Sequence, residues 1–275
     1  MQFIKKYGLS LLFLGFLSCN NVREKKEKLE EEYLDTHIEK VDDRMNVLGL
    51  IGGTSWHSTV EYYTAINTAV NKNFGNNTNP PLIVYTINQS EVHRFQKENK
   101  WDSIANMLVS AGKHLTDAGA KSVMFCANTP HKMYDEVQSK LDIPVIHIAD
   151  ATAKEINKEG IKKVGFLGTK YSMQGDFITG RIEKNGIEVV VPEDEEVINE
   201  LQRIIEEELT YGVVEKDSKK YVLNVISNLK EKGATGIVLG CTEFPLMIFQ
   251  DDLETPIFDT TEIHSKAAVD YILKR

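Results

Sequence analysis

Residues 119–131 read GAKSVMFCANTPH, and residues 233–245 read GATGIVLGCTEFP. Aligned on their Gly-Ala pairs, both stretches consist of a short apolar run followed by a polar turn. A short apolar run bounded by turn residues is typical of a strand buried on both faces. In this register Ala127 aligns with Cys241, and Cys126 lies one position too early. The chain therefore contains the same strand and turn twice, with the cysteine displaced in the first copy.

Short apolar runs alternate with longer amphipathic stretches along the rest of the chain. Continuous apolar runs are expected of strands covered on both faces, so the pattern predicts an α/β fold with parallel sheets. The predicted buried strands are 46–53, 81–88, 121–127, 144–149, 163–168, 187–192, 236–241 and 255–260. The main predicted helices are 57–72, 101–118, 198–211 and 218–232.

Two further pairs of segments repeat in the same order. Residues 47–54 resemble 163–169, and residues 141–147 resemble 253–259. Three ordered matches indicate two similar halves, which we expect to face each other about a pseudo-twofold axis. Ligands of open α/β sheets bind at the carboxyl ends of the strands, so a site is expected in the cleft between the halves. The predicted domains are 45–150 plus 255–275 for the first and 151–254 for the second.

Composition and charge limit the classes of protein to which the chain can belong. The 275 residues suit two small domains or one larger one, and 41% of them are hydrophobic. A net charge of −9 argues against nucleic acid as a partner, because such proteins carry a basic surface. Three cysteines are too few for a disulfide framework, so each must be explained by its own surroundings.

The N-terminus has the pattern of a lipoprotein signal peptide. Within residues 1–18, two lysines precede an apolar run that is too short to span a membrane. Cys19 follows Leu-Ser and is predicted to be the lipidated first residue of the mature protein; an uncleaved anchor helix is the alternative. The charge-rich residues 19–44 read as a tether. Either reading predicts a membrane-anchored protein outside the cytoplasm.

Four turns carry polar groups at points where a predicted strand gives way to a helix. The turn at 52–55 lets backbone N–H groups approach an anion beside a helix N-terminus, and the turn at 168–170 adds a lysine. The turns at 127–129 and 241–243 supply amide, hydroxyl, thiol and carboxylate groups. Together the four turns predict a small polar pocket for a carboxylate-bearing molecule.

The motifs GLIGGTSWHSTVEYYTAIN, FCANTPH, LGTKYSM and LGCTEFPL occur in this order. With them the chain resembles the aspartate/glutamate racemase family of cofactor-independent amino-acid racemases, from about Met45 to Arg275. The resemblance implies two catalytic cysteines, one from each half, on opposite faces of the substrate α-carbon. Cys241 matches one of them. The other would stand directly before Asn128, where this chain has Ala127.

The resemblance also implies roles for other residues. It implies a racemase that needs no pyridoxal phosphate (PLP) and acts on a small, acidic amino acid, with Glu243 assisting Cys241. His264 fits a supporting role near Cys241, or equally that of a packing residue whose hydrogen bonds are satisfied.

The resemblance matches Asn128, Thr129 and Lys170 to substrate-binding positions, although Lys170 could also be a solvated turn lysine. The polar turns themselves add Gly53, Thr54 and Thr242 as candidate substrate-binding residues. A homodimer is left open. No metal site is predicted, because four histidines have no cysteine or carboxylate at the spacing of metal ligands: His57, His93, His114 and His147.

The missing thiol leaves several mechanisms open. An amino-acid α-proton is weakly acidic, so its removal needs a placed base and stabilisation of the developing enediolate. We expect the turn around Cys241 to favour the thiolate. The methyl group of Ala127 holds no proton, and Cys126 should point to the opposite face of the strand, as a core residue. Three alternatives remain open. A water molecule could act on the Ala127 face, or the chain could catalyse a one-cysteine reaction such as malonate decarboxylation. The protein could also be inactive and bind acidic amino acids or carboxylates.

Overall fold

The computed structural model describes residues 45–274. The predictions for residues 1–18 and 19–44, including lipidation of Cys19, lie outside the described residues. Within 45–274, no helix has the length and apolar character that a membrane-spanning helix needs.

The first sheet is built from four parallel strands in the order β2-β1-β3-β4. Its central strands β1 and β3 are fully buried, as their unbroken apolar sequences predict. The edge strand β2 is partly exposed, because only one of its sides has a partner strand. The strands are β1 (Leu48–Gly52), β2 (Leu82–Thr86), β3 (Ser122–Phe125) and β4 (Val145–Ile146).

The second sheet repeats this topology, with four parallel strands in the order β6-β5-β7-β8. The three sequence repeats fall on strands in equivalent positions of the two sheets, which supports their origin as similar halves. The edge strand β6 is again partly exposed, so the expectation of burial was wrong for both β2 and β6. The strands are β5 (Lys163–Gly168), β6 (Glu188–Val190), β7 (Gly236–Gly240) and β8 (Ile257–Asp259).

Helices connect the strands and cover the sheets. Several begin at a side chain that accepts a hydrogen bond from the first turn, including Ser55, Asp194 and Asp259. The helices are α1 (Trp56–Phe74), α2 (Gln89–Lys97), α3 (Trp101–Asp117), α4 (Tyr134–Gln138), α5 (Ile148–Lys158), α6 (Lys170–Gln174), α7 (Thr179–Glu183), α8 (Glu195–Glu207), α9 (Lys216–Glu231) and α10 (Thr260–Ile272).

Each sheet has its own hydrophobic core. On the first sheet, helix α3 buries Ile104 and Leu108 beside Val123 and Phe125 of β3. On the second, α8 and α9 bury leucine, isoleucine and valine side chains together with Phe166 of β5. Fully burying such a side chain contributes about 1.5–3 kcal/mol. The strand ends are therefore held rigidly enough to present the turns that follow them.

Two predicted boundaries differ from the structure. Strand β8 pairs with β7, so the second sheet extends beyond the boundary expected at residue 254, and only α10 returns to the first half, against α1 and α5. Strand β4 is shorter than the predicted 144–149, because the His147 imidazole accepts a hydrogen bond from Ala149 N and caps α5.

Candidate active site

A cavity of about 630 Å³ lies at the carboxyl ends of the strands, between the two sheets. We call it the main cavity. The four predicted turns all contribute to its wall, as a topology of two facing α/β halves requires. The turn residues that line it are Thr54, Ser55, Ala127, Asn128, Thr129, Thr169, Cys241, Thr242 and Glu243.

The outer wall comes from helices that the sequence reasoning did not connect with the site. Helix α2 contributes one face, and α8 with the 3₁₀ turn after it contributes another. Their amphipathic patterns predict only which side faces the core, so nothing in the sequence marked their polar faces as cavity wall. These residues include Gln89, Ser90, His93, Gln96, Lys97, Gln202, Glu206, Glu207, Thr210 and Tyr211.

Cys241 is a free thiol that is only 5% exposed. Its Sγ donates a hydrogen bond to Glu243 Oε2 at 2.8 Å, and Thr242 Oγ1 donates to the same oxygen at 2.7 Å. Burial raises the pKa of the Cys241 thiol well above its usual value, and the Glu243 carboxylate raises it further. Backbone N–H groups of the turn oppose this pKa shift but are the smaller effect. The expectation that the turn favours the thiolate was therefore wrong for the ligand-free protein.

A second carboxylate lies close to Glu243. The pKa of Glu61 is raised to about 7 by desolvation and by the charges of Glu243 and Asp259. Glu61 and Glu243 both line a smaller cavity of about 170 Å³, which shares part of its wall with the main cavity. Ser58 Oγ lies 2.7 Å from Thr242 Oγ1 and so links helix α1 to the Cys241 turn.

Ala127 lines the main cavity together with Cys241, whereas Cys126 does not. Cys126 is 2% exposed, and its N–H continues the sheet by donating to Ile51 O at 3.0 Å. Burial raises the pKa of its thiol, which makes it inert at neutral pH. The structure thus places the two residues as the alignment of the repeats predicts.

The Asn128 side chain has one free hydrogen-bonding atom. Its Nδ2 donates to Thr260 Oγ1 at 3.0 Å, while its buried Oδ1 has no partner within the described residues. An unpaired buried acceptor costs free energy, so this atom is ready to accept a hydrogen bond from a ligand. Next to it, Thr129 Oγ1 lies 3.3 Å from Thr169 Oγ1 of the other half.

His131 fixes the turn that carries these residues. Its Nδ1 donates to the carbonyl oxygens of Ala127 and Asn128 at 3.1 and 3.2 Å, and its Nε2 accepts from Ile148 N. These partners determine the neutral tautomer, and burial lowers the pKa of His131 to about 4.

His264 is a fully buried packing residue, the second of the two roles that the sequence left open. Its Nδ1 accepts a hydrogen bond from the Tyr62 hydroxyl at 3.0 Å, and its Nε2 donates to Ile146 O at 3.1 Å. It lies behind the Asn128 turn, with its ring centroid 5.7 Å from that of His131, and it hydrogen-bonds neither Cys241 nor Glu243.

Two expected substrate-binding residues do not line the main cavity. Lys170 Nζ donates to Asn199 Oδ1 at 2.9 Å and lies 3.7 Å from Glu195, so its charge is directed towards helix α8. Gly53 has a φ of +92° and packs against Ile87, so it shapes the turn and offers no group to a ligand. Within residues 45–274, no group of three or more histidine, cysteine or acidic residues is arranged to hold a metal ion.

Comparison with known proteins gives a consistent family. The family model described as Asp/Glu/hydantoin racemase matches residues 51–268. The chain is 24% identical over 172 residues to the broad specificity amino-acid racemase RacX of Bacillus subtilis, a match that covers 61% of this chain and 72% of RacX.

Solved structures agree with this assignment. A proposed Asp/Glu racemase from Yersinia pestis is 41% identical, with a TM-score of 0.79 over 84% of this chain and all of that one. An aspartate racemase homologue from Pyrococcus horikoshii is 39% identical, with a TM-score of 0.73 and the same shares of the two chains.

Proposed function

The chain belongs to the Asp/Glu/hydantoin racemase family, and from this premise we propose that it racemises a free amino acid, with Cys241 as the thiol that takes and returns the α-proton. The observation that carries the proposal is the position of Cys241, which lies in the wall of a cavity formed by both halves. As the family resemblance implies, the reaction proceeds without PLP.

Polar groups around the main cavity suit the two charged groups of an amino acid. Asn128 Oδ1 is a free acceptor for the α-ammonium group. The Thr129 and Thr169 hydroxyls, one from each half, are donors for the α-carboxylate. The N-terminus of helix α1 after Thr54 adds partial positive charge. Such donors stabilise the enediolate that forms when the α-proton leaves.

Proton transfer begins with the hydrogen bond between Cys241 and Glu243. In the proposed sequence the thiol proton passes to Glu243 Oε2, and the thiolate removes the substrate α-proton. A water molecule on the Ala127 face then protonates the carbanion, and the hydroxide that this leaves takes the proton from Glu243. In the free site burial raises the pKa of the Cys241 thiol, the nearby Glu243 carboxylate raises it further, and the thiol stays protonated. A bound α-ammonium group would offset that negative charge and lower the energy of the thiolate.

Ala127 favours a second candidate, a one-base enzyme. Inversion requires a proton donor on the face opposite Cys241, and a methyl group cannot supply one. A water molecule on that face would complete slow racemisation. Without it, Cys241 would return the proton to the face from which it came, and the product would keep its configuration.

The experiment is exchange of the α-hydrogen in D₂O, followed by NMR on the full-length protein with L- and D-amino acids. The proposal predicts deuterium at the α-carbon and slow appearance of the opposite enantiomer. Exchange with full retention would establish the one-base reaction. Binding of an amino acid without exchange would overturn the proposal in favour of a binding protein.

The sequence predicted an acidic amino acid as substrate, and the names of the matched family and of two neighbouring structures favour aspartate or glutamate. Lys170, which the family resemblance matches to a lysine that pairs with a carboxylate, is directed towards Asn199 and Glu195. Lys170 thus gives a bound carboxylate no support, and the substrate that we propose is a free amino acid of either charged or neutral side chain.

We also propose that the mature protein is a lipoprotein outside the cytoplasm. The support is the sequence of residues 1–19 alone. Mass spectrometry of the purified N-terminus should find a lipid-modified Cys19 as the first residue, and Cys19→Ala should block this processing. An unmodified cytoplasmic protein that retains residues 1–18 would contradict the proposal.

A further inference from the structure

We infer that the main cavity selects an amino acid with a cationic side chain, and that Glu206 is the residue that determines this preference. The inference rests on the proposed function, since it assumes that the cavity binds the amino acid whose α-proton is exchanged.

The wall of the main cavity is negatively charged. Among its described residues, Lys97 is the only lysine or arginine, whereas Glu206, Glu207 and Glu243 are all acidic. Burial lowers the pKa of His93 from its usual value, so this imidazole adds little positive charge at neutral pH. Arg203 lies 3.6 Å from Glu207 and offsets its charge, so Lys97 remains against the two carboxylates of Glu206 and Glu243, and the wall keeps one negative charge in excess.

The charge of the amino acid's side chain therefore decides how well it binds in this cavity. The α-ammonium and α-carboxylate groups cancel each other, so the side chain sets the ligand's net charge. An acidic side chain adds a negative charge to a negative wall, while a basic side chain neutralises part of it. Like charges that are brought together in a partly desolvated site oppose binding, and opposite charges favour it.

Glu206 is the carboxylate of the cavity wall that has no positively charged partner among the described residues. Its Oε1 accepts a hydrogen bond from Gln202 Nε2 at 2.8 Å, and it forms no ion pair within the described residues. The other two acidic residues are already engaged: Glu207 lies 3.6 Å from Arg203, and Glu243 accepts from Cys241 and Thr242. Glu206 is thus held in place by an uncharged partner and remains available to a cation.

A second feature of the same wall, besides its carboxylates, suits a cationic side chain. The free Oδ1 of Asn128, which is 3% exposed, binds the α-ammonium group that every amino acid carries, so it does not distinguish between side chains. The aromatic rings of Trp56, Tyr171 and Tyr211 also line the main cavity. Aromatic faces attract ammonium and guanidinium groups, so they complement the carboxylates. Lys97 remains to bind the α-carboxylate.

Two pairs of amino acids of similar shape test the inference. L-Lysine and L-norleucine differ by the side-chain cation, and L-glutamate and L-glutamine differ by the side-chain anion. In the D₂O assay we expect kcat/KM for lysine to exceed that for glutamate at least about tenfold, with glutamine exchanged faster than glutamate. Glutamate exchanged faster than glutamine and lysine would overturn the inference and leave the proposed function intact.

Variants on helix α8 assign the effect to Glu206. Glu206→Gln should reduce the advantage of lysine over norleucine about threefold, because Glu206 is exposed and solvent screens its charge. The loss should appear mainly in KM, because the interaction is made equally in the bound and transition states. The matched control Glu196→Gln removes an exposed carboxylate of the same helix outside the cavity wall and should change neither ratio. Equal lysine-to-norleucine ratios in wild type and Glu206→Gln would contradict the role of Glu206.

Calorimetric binding of the same four amino acids separates this inference from the proposed function. If no amino acid is exchanged but lysine binds more tightly than norleucine, the charge preference stands and the racemase proposal fails. If lysine binds no more tightly than norleucine, or neither binds, the inference fails.

Discussion

At the scale of single residues, the chemistry depends on which side chains meet at the ends of strands β3 and β7. Aligning the two Gly-Ala pairs was enough to predict that Ala127 and Cys241 share one cavity and that Cys126 lies in the core. The pKa of Cys241 could not be predicted in this way. It depends on a 2.8 Å contact with Glu243 and on burial, which arise only when the turn folds.

The role of Cys241 is tested by Cys241→Ser. A serine hydroxyl is far less acidic than a thiol, so exchange of the α-hydrogen should fall by at least about 100-fold. The substitution is nearly isosteric, and the urea unfolding midpoint should stay close to that of wild type. Exchange at the wild-type rate would assign the proton transfer to another group.

Ala127 and Cys126 form a matched pair of test positions. Ala127→Cys introduces a thiol on the cavity wall and should raise the rate of inversion relative to the rate of exchange. The size of the gain depends on geometry, because a misplacement of about 1 Å can cost roughly 100-fold. Both rates are obtained by NMR combined with chiral chromatography.

The neighbouring variant Cys126→Ala is the control for this gain. It removes a buried thiol that does not line the main cavity, so exchange and inversion should remain unchanged apart from a modest loss of stability. If Cys126→Ala abolished exchange, the assignment of Ala127 to the cavity wall would be wrong.

At the scale of elements, most of the fold could be predicted from local pattern. All eight predicted strands exist, because buried parallel strands have unbroken apolar sequences. The exposure of β2 and β6 could not be predicted, since an edge position depends on strand order and not on the strand's own sequence. The early end of β4 depends on a single cap at His147.

The turn between β1 and α1 is an element that tolerates little change. Gly53 has a φ of +92°, and a methyl group there would overlap the carbonyl oxygen of Ile87. Gly53→Ala should therefore combine backbone strain of about 1–2 kcal/mol with a steric cost of at least about 1–3 kcal/mol. The free energy of unfolding in urea measures the sum of the strain and the steric cost.

Gly119→Ala is the matched control for Gly53→Ala. Gly119 has a similar φ of +101°, but nothing lies within 4 Å of an added methyl group. Gly119→Ala should therefore lower the free energy of unfolding only by the backbone strain, about 1–2 kcal/mol. Equal losses of stability in the two variants would contradict the steric explanation.

At the scale of the whole molecule, contacts between distant parts of the chain assemble the site. Ser58 bonds Thr242, Thr129 contacts Thr169, and the Asn128 side chain is held by Thr260. Periodicity and motifs place each residue on its own turn, but they carry no information on these pairings or on the wall formed by α2 and α8. Family resemblance matched Lys170 to a substrate-binding position, and a place near Cys241 was one of the two roles open to His264; the structure directs both side chains elsewhere.

A cluster of three buried histidines makes the fold sensitive to acid. His131 lies 4.5 Å from His147 and 5.7 Å from His264 between ring centroids, and burial lowers the pKa of all three. The unfolded chain has histidine pKa values of about 6.5, so below this pH it binds protons that the folded protein excludes. Stability should therefore fall as pH decreases from about 6.5 towards 4, by roughly 3 kcal/mol from His131 alone.

Glu61 acts in the opposite direction within the same pH range. Its folded pKa of about 7 lies above the usual value, so the folded protein gains stability there as pH falls. Glu61→Gln removes this contribution, and its acid destabilisation should be steeper than that of wild type. Urea midpoints measured from pH 7.5 to 4.5 provide the comparison, and a midpoint that stays constant or rises in Glu61→Gln would contradict the role of the histidines.

The most direct test is a crystal structure of the full-length protein with the amino acid that it exchanges fastest. The account predicts that the α-carbon lies between Cys241 and Ala127, with Cys241 Sγ about 3–3.5 Å from the α-hydrogen's position. The α-ammonium group should bond Asn128 Oδ1, and the side chain should extend towards Glu206. An amino acid bound outside the main cavity, or the Cys126 thiol facing Cys241 across the ligand, would contradict it.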